Sequence, residues 1–246
     1  MGSRLSETVA IVTGGTRGIG EAIVRGIVAE GGRVVFGGRD EAAGSAISRE
    51  LGNQAYFVRQ DVALEDDWRK IVAVALQAFG RINGLVNNAG LMAQHAVAET
   101  TLDLAQSLFA TNQLSVLLGI KHVVGPMRSI GSGSIVNIGS VAVRRGMAGI
   151  SAYSGAKSAV SGITRSAAME LAAENIRVNA IHPGTFDTRM LAESMGADAL
   201  EYAADVTPMH RAGNPREMVG PVVFLLSDDG SYVTGAEIPV DGGLSL

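Results

Sequence analysis

The sequence predicts an alternating α/β protein, a single domain over residues 1–246 built on one doubly wound, seven-stranded parallel sheet flanked by helices. Three observations carry that prediction. Short apolar runs rich in β-branched residues recur along the chain, as strands buried on both faces should. Between them lie stretches with apolar residues at helical spacing. The first strand runs directly into a glycine-rich turn that opens a helix. With 246 residues, 47% of them hydrophobic, the chain is long enough to bury one large core.

Taken in order, Thr8-Val-Ala-Ile-Val-Thr13 is the first strand. Gly14-Gly15-Thr16-Arg17-Gly18-Ile19-Gly20 follows, and Glu21 to Glu30 carries Ala22, Ile23 and Ile27 on one helical face. Strand, glycine turn and helix in that order make an anion cradle. Glycines admit a pyrophosphate close to the backbone, and the helix start offers free N–H groups and a partial positive charge.

Arg33 to Gly37 is the second strand, leading into Gly38-Arg39-Asp40. A carboxylate usually holds the adenosine ribose about 20 residues past such a loop, whereas an arginine there accommodates a 2′-phosphate. The slot falls on Gly38, with Arg39 beside it and Arg17 as a second cation, which favours NADP(H) over NAD(H). Asp40 leaves alternatives open: it can neutralise Arg39, reach the ribose itself, or cap the helix predicted over Glu41–Leu51. Gly52-Asn53 ends that helix.

Ala55 to Arg59 is the third strand, ending at Gln60-Asp61-Val62, and Glu65 to Phe79 is an amphipathic helix. Leu85-Val-Asn87-Asn88-Ala89-Gly90 gives the fourth strand and a polar terminus; two adjacent asparagines there need partners. Thr101 to Arg128 reads as a long helix kinked near Gly119 and Gly125-Pro126, with Asn112 inside it, a poor residue for a helix interior. Ser134 to Gly139 is the fifth strand, leading to Ser140.

Ile150 to Glu174 is a helix carrying Tyr153 and Lys157, four apart and so on one face. A cation close to a phenol lowers its pKa from ~10 by ~1 to 3 units, which would let the tyrosine exchange protons near neutral pH. Small residues along this helix (Ala152, Gly155, Ala156, Ala159, Gly162, Ala167, Ala168) permit close approach of another helix, in the core or across a subunit interface. Ile176 to Ile181 is the sixth strand, followed by Pro183-Gly184. Thr185 to Ala212 has poorer periodicity and is expected to be a mobile substrate lid (185–212) within the domain. Pro215 to Ser227 is a helix, and Ala236 to Val240 the seventh strand.

Jointly, Gly14, Gly18 and Gly20, Asp61, Asn87 to Gly90, Asn112, Ser140, Tyr153 with Lys157, and Pro183-Gly184 resemble the short-chain dehydrogenase/reductase family, in family order and spacing across the whole chain. Ser140 stands thirteen residues before Tyr153, as that pattern requires. The resemblance implies a Rossmann-type fold and a hydride transfer to or from nicotinamide. In it, Tyr153 is the proton donor and acceptor, and Lys157 lowers its pKa and holds the nicotinamide ribose. Ser140 holds the substrate oxygen and Asn112 positions a water next to Lys157. It further implies that Asp61 and Val62 contact adenine, that Asn88, Ala89 and Gly90 border the coenzyme, and that Phe186 and Thr188, after Pro183-Gly184, secure the carboxamide.

Met92, Ala93 and His95, Val141 to Arg144, and Phe186, Met190, Leu191, Met195 and Tyr202 are expected to line the cleft. Mostly apolar, they point to a hydrophobic secondary alcohol or ketone. The C-terminal run Ser231 to Gly243 and the general layout resemble bacterial hydroxysteroid dehydrogenases within the family, so a steroid is one candidate. Reduction of 3-oxoacyl thioesters is the main rival, with Arg144-Arg145 meeting an anionic carrier. A non-catalytic NAD(P)-sensing protein is the alternative of another class; it would have lost the serine, tyrosine or lysine that this chain keeps.

Other functions fare worse on the sequence. The net charge of -4 with scattered basic residues gives no nucleic-acid surface. There is no cysteine, hence no disulfide or thiolate metal site, which suits a cytoplasmic location. His95, His122, His182 and His210 lack metal-ligand spacing and read as ordinary histidines. No apolar run is long enough to span a membrane. Met1-Gly-Ser-Arg-Leu-Ser6 matches a myristoylation pattern formally, but is read as a start running into Leu5 and the first strand. The resemblance and the small-residue helix together imply a homotetramer or homodimer.

Overall fold

The computed structural model describes residues 3–246, apart from the side chain of Met195; Met1 and Gly2, where the acylation pattern begins, lie outside the described residues. Seven parallel strands form one sheet in the order β3-β2-β1-β4-β5-β6-β7, with β1 Val9–Val12, β2 Arg33–Gly38, β3 Ala55–Arg59, β4 Gly84–Asn87, β5 Gly133–Ile138, β6 Ile176–Pro183 and β7 Glu237–Val240. The order reverses between β1 and β4, so the chain winds outward both ways and leaves a crevice at the carboxyl ends of those two strands.

The strands are apolar on both faces because helices cover both faces. On one side α1 (Gly18–Ala29), α2 (Glu41–Leu51) and, late in the chain, a helix over Val219–Leu226 enclose Val12, Val34, Phe36, Val86 and Val136. On the other, α3 (Glu65–Phe79) and two later helices enclose Ile11, Val35, Leu85 and Ile135, with Trp68 fully buried.

Most predicted elements stand where the periodicity put them; the long helix predicted over Thr101–Arg128 differs. It consists of α4 (Leu102–Phe109), one π-helical turn at Ala110–Leu114, and α5 (Ser115–Ile130), with Pro126 inside α5. The irregularity therefore sits at Asn112 and not at Gly119 or Pro126. Gly119 is glycine for packing, since a Cβ there would stand 2.4 Å from Asn87 Oδ1 and 2.7 Å from the Trp68 ring.

The remaining helices are α6 (Ser151–Leu171), α7 (Arg189–Met195), α8 (Ala199–Val206) and α9 (Val219–Leu226, already placed). A polar string crosses the layers beneath the crevice. Asn87 Nδ2 donates to Asn137 Oδ1 at 2.9 Å, and Asn137 Nδ2 donates to Thr164 Oγ1 on α6 at 2.9 Å. It ties β4 to β5 and both to the helix that carries Tyr153.

Candidate active site

β1 delivers the chain into the glycine loop, and Thr13 and Asn88 fix the loop's shape. Thr13 Oγ1 accepts from the backbone N–H groups of Asn88 and Ala89, both at 3.0 Å. Asn88 Nδ2 donates to Thr13 O at 2.9 Å and Gly14 O at 3.3 Å. Asn88 thus braces the loop, and its side chain is already engaged. At Gly20 a Cβ would stand 2.1 Å from Gly14 O, so only glycine lets the first turn of α1 come so close. Arg17, the residue before α1, makes no side-chain cap to the helix. The amides at the helix start, from Gly18, Ile19 and Gly20, therefore have no side-chain acceptor there, as a diphosphate site requires.

At the end of β2, a Cβ on Gly38 would lie 2.6 Å from the Thr16 side chain, so no carboxylate fits that slot. Asp40 caps α2, its Oδ1 accepting from Ala43 N at 3.0 Å. Of the alternatives left open for Asp40, the cap is the one it takes. The neighbouring Arg25 and Arg59 pair with Glu21, Glu50 and Glu41. No ion pair among the described residues involves Arg17 or Arg39, and both are exposed. Half-buried Asp61 accepts from Ala63 N at 3.0 Å, and buried Val62 accepts from Trp68 Nε1 at 2.9 Å. Beside them Gln60 is buried, and neither of its side-chain polar atoms finds a hydrogen-bond partner among the described residues, a feature the sequence did not suggest.

Asn112 in the π turn, Ser140 after β5, and Tyr153 with Lys157 on α6 come from three segments and meet beyond the carboxyl ends of β4 and β5. Asn112 is fully buried; its Oδ1 accepts from Leu91 N at 2.9 Å and its Nδ2 donates to Leu91 O at 2.8 Å. Its amide thus locks the segment after β4 to the π turn, and such turns recur at functional sites. A Cβ on Gly90 would stand 3.2 Å from Asn112 Oδ1 and 3.6 Å from Lys157 Nζ, so Gly90 lies against both groups. Lys157, 4% exposed, donates to Ile138 O at 2.8 Å. Burial pulls its amine down to about 8.

Ser140 follows β5 in extended conformation, and its Oγ accepts from Ala142 N at 3.2 Å. Tyr153 packs in a small apolar cluster with Leu108, Ala142 and Ile150, bordered by Leu91, Met92, Ala93 and Met147. Burial raises the phenol pKa, and a hydrogen bond with Ser140 works against that rise. The spacing-based expectation that Lys157 depresses the phenol is therefore corrected for this chain by itself: desolvation dominates, and Nζ is drawn to a strand carbonyl instead.

Residues 185–212 fold into α7 and α8, with Thr188 capping α7 and lying next to Gly18 of the loop: a Cβ there would stand 3.4 Å from Thr188 Cγ2. Pro183 is buried at the end of β6, and Gly184 abuts Asp241. The side chain of Phe186 is buried in the core on the α1 and α9 side, and its backbone pairs with Gly213. Met92, Ala93, Met190, Leu191 and Tyr202 are half-buried, His95 is exposed, and the side chain of Met195 lies outside the described residues. A cavity of about 540 Å³ is lined by Thr185, Phe186, Pro208, Met209, Val240 and Leu246 among others, but by none of the four convergent residues.

His182, an ordinary histidine by its spacing, stands against the Gly139-Ser140 backbone, with Glu237 on its other side. Among the described residues no group of His, Asp or Glu could hold a metal ion, and no helix is long and apolar enough to cross a membrane.

Comparison with known proteins gives consistent findings. Residues 14–245 match the family described as enoyl-(acyl carrier protein) reductase. The chain is 42% identical to the 3-alpha-(or 20-beta)-hydroxysteroid dehydrogenase of Mycobacterium tuberculosis, over 99% of this chain and 91% of that protein. It is 36% identical to the NADP-dependent (R)-specific alcohol dehydrogenase of Lentilactobacillus kefiri, over 99% of this chain and 98% of that one. Among solved structures, that of a proposed gluconate dehydrogenase from Agrobacterium tumefaciens superposes with a TM-score of 0.92 at 32% identity, covering 100% of this chain and 99% of the other.

Proposed function

The chain belongs to the short-chain dehydrogenase/reductase family and is an oxidoreductase of CH–OH and C=O groups; from that premise we propose that it interconverts a hydrophobic secondary alcohol and its ketone with NADP(H). The observation that carries this reading is the meeting of Asn112, Ser140, Tyr153 and Lys157 beside a glycine loop whose helix-start amides lack a side-chain acceptor.

The residues present fit a dinucleotide. Its diphosphate would lie on the α1 start at Gly18, Ile19 and Gly20, with Gly14, Thr16 and Asn88 to Gly90 shaping the wall. Asp61 and Val62 would border adenine, Lys157 the nicotinamide ribose, and Gly184 to Thr188 the carboxamide. When bound, the nicotinamide supplies or accepts the hydride. A 2′-phosphate is favoured because Gly38 has no room for a carboxylate, Asp40 is engaged as a cap, and Arg17 and Arg39 are exposed cations.

The protein's own part is proton handling and placement. Tyr153 gives its phenol proton to the carbonyl oxygen in reduction, and its raised pKa keeps that proton in place at neutral pH. Ser140 donates to the same oxygen as charge develops on it. Lys157, with an amine near 8, exchanges protons readily and replenishes the phenol through the Asn112 corner.

The substrate lies against the apolar cluster around Tyr153, under a lid formed by residues 185–212 that closes within the same domain, 1–246. A cyclic or steroid-sized ketone suits that wall and matches the steroid in the name of the Mycobacterium relative. The chain assembles as a homodimer or homotetramer through the exposed Leu102, Phe109, Leu114 and Leu117 of the α4–α5 stretch and the open glycine face of α6. A cytoplasmic location goes with a chain that lacks cysteine.

A panel of steroid, cyclic, aryl and acyl-thioester ketones, assayed with NADPH and NADH, tests the reading. Turnover of a hydrophobic cyclic ketone with NADPH is expected. Preference for acyl thioesters would replace the substrate class, and coenzyme binding without any turnover would leave a sensing protein.

A further inference from the structure

We propose that His182 and Glu237 are positioning residues that hold Ser140 in register with Tyr153. The inference rests on the reading of Ser140 and Tyr153 as the pair that meets the substrate oxygen. His182 is fully buried at the end of β6, and its ring lies against the backbone after β5: a Cβ on Gly139 would stand 2.4 Å from Nδ1. Nδ1 is 3.2 Å from Ser140 N and 3.1 Å from Ser140 O. On the far side of the ring, Nε2 is 2.9 Å from Glu237 Oε2.

Hydrogen-bond logic selects one protonation state. A carboxylate can only accept, so Nε2 carries the proton and donates to Glu237. Nδ1 is then a lone pair that accepts from the Ser140 N–H at 3.2 Å, and its 3.1 Å approach to Ser140 O carries no hydrogen bond. The opposite tautomer would set Nε2 against the carboxylate with no proton between them and leave the Ser140 N–H without an acceptor. Burial lowers the pKa of the ring, against the pull of Glu237 and of the Ser140 backbone, and the charge of Arg144 adds to the lowering, so the neutral form holds at pH 7. Glu237 stays ionised: burial works to raise its pKa, but Ser161, His182 and Arg165 outweigh it.

The anchor of Glu237 closes a circuit. Ser161 Oγ donates to its Oε2 at 2.8 Å and Arg165 Nη1 to its Oε1 at 2.6 Å. Ser161 and Arg165 continue on α6 the four-residue spacing of Tyr153 and Lys157. The helix that presents the phenol is thus tied through Glu237 and His182 to the peptide of the serine that faces it. A shift of one relative to the other must stretch a buried hydrogen bond.

Paired substitutions separate positioning from packing. His182→Asn keeps an acceptor in the place of Nδ1 but leaves a void; His182→Leu fills the space but offers no acceptor. On the protein with its coenzyme and a ketone that the parent reduces, we expect His182→Leu to lower kcat roughly tenfold or more with coenzyme Kd within about twofold, and His182→Asn to recover most of that loss. Glu237→Gln, close in shape and expected to fold as the parent, should lower kcat about threefold, because an amide no longer dictates the ring tautomer. Equal losses in Asn and Leu, or a Leu variant with parental kcat, would overturn the proposal. Ring-nitrogen NMR of the parent needs no substrate and so tests the brace independently of turnover. Protonated Nε2 with bare Nδ1 at pH 7 is expected, and the opposite tautomer or an imidazolium overturns the brace. An inactive parent with the expected tautomer would refute the functional reading while keeping the brace.

Discussion

Replacing Lys157 by methionine should destroy activity and yet make the protein more stable. The ammonium is 4% exposed and, among the described residues, has one hydrogen-bond partner, Ile138 O at 2.8 Å, and no carboxylate in an ion pair with it. Burial moves its pKa from 10.5 to about 8, a gap worth roughly 3 kcal/mol at about 1.4 kcal/mol per unit. The sign follows from proton counting. Between about pH 8 and 10.5 the unfolded chain holds the proton that the folded chain has lost, so stability rises with pH there; below about 8 both hold it and the whole penalty persists. The Lys157→Met change removes the penalty and leaves Ile138 O without its donor, a cost of about 1 kcal/mol, so the net gain at pH 7 is about 2 kcal/mol. For a chain of this size that is a rise in Tm of about 4 to 8 °C. Urea or thermal unfolding without added coenzyme, followed by the fluorescence of the single, fully buried Trp68, measures it. At about pH 10 the parent has recovered most of the loss and the two curves should nearly coincide. A variant less stable than the parent at pH 7, or an advantage independent of pH, would show that the buried ammonium is no burden on the fold.

Asn137→Ala leaves Asn87 Nδ2 with only its 3.4 Å contact to Val116 O and deprives Thr164 Oγ1 of its donor, so we expect about 3 kcal/mol of destabilisation by denaturant titration; parental stability would mean the string is idle. Arg39→Ala should raise the KM for NADPH about tenfold and leave that for NADH alone, and a strong NADH preference in the parent would contradict the coenzyme assignment. Alcohol oxidation requires the phenolate of Tyr153, whose pKa is raised by burial, so its rate should climb with pH, whereas ketone reduction, which uses the neutral phenol, should stay flat from about pH 6 to 8. Opposite trends in a pH–rate profile would reassign the proton donor.

The strands and most helices are legible because their signals are local. Glu65, Asp66 and Asp67 favour the start of α3 and Gly80 stops it, so its limits match the prediction. The glycine loop, too, is read in place, since β1 and α1 flank it. What escapes the sequence depends on burial or on distant contacts. Asn112 signals an oddity in its helix, but that its amide grips Leu91 could not be read from helical spacing alone. The spacing of Tyr153 and Lys157 says that they share a face; it does not say that both are desolvated, which reverses the expected shift of the phenol. Phe186 reads as a cleft residue on composition and is taken into the core by Gly213. His182 and Glu237 lie on different strands, far apart in the chain, and only the pairing of β6 with β7 brings them together.

In the proposed mechanism Tyr153 moves the proton while the glycine loop independently holds the coenzyme, and Tyr153→Phe probes that division of labour on a single protein. Steady-state reduction of the best ketone from the panel, alongside NADPH titration by fluorescence, gives both quantities. A loss of at least about a hundredfold in kcat is expected, with NADPH affinity within about twofold of the parent. Undiminished turnover by the phenylalanine variant would remove Tyr153 from the role of proton donor.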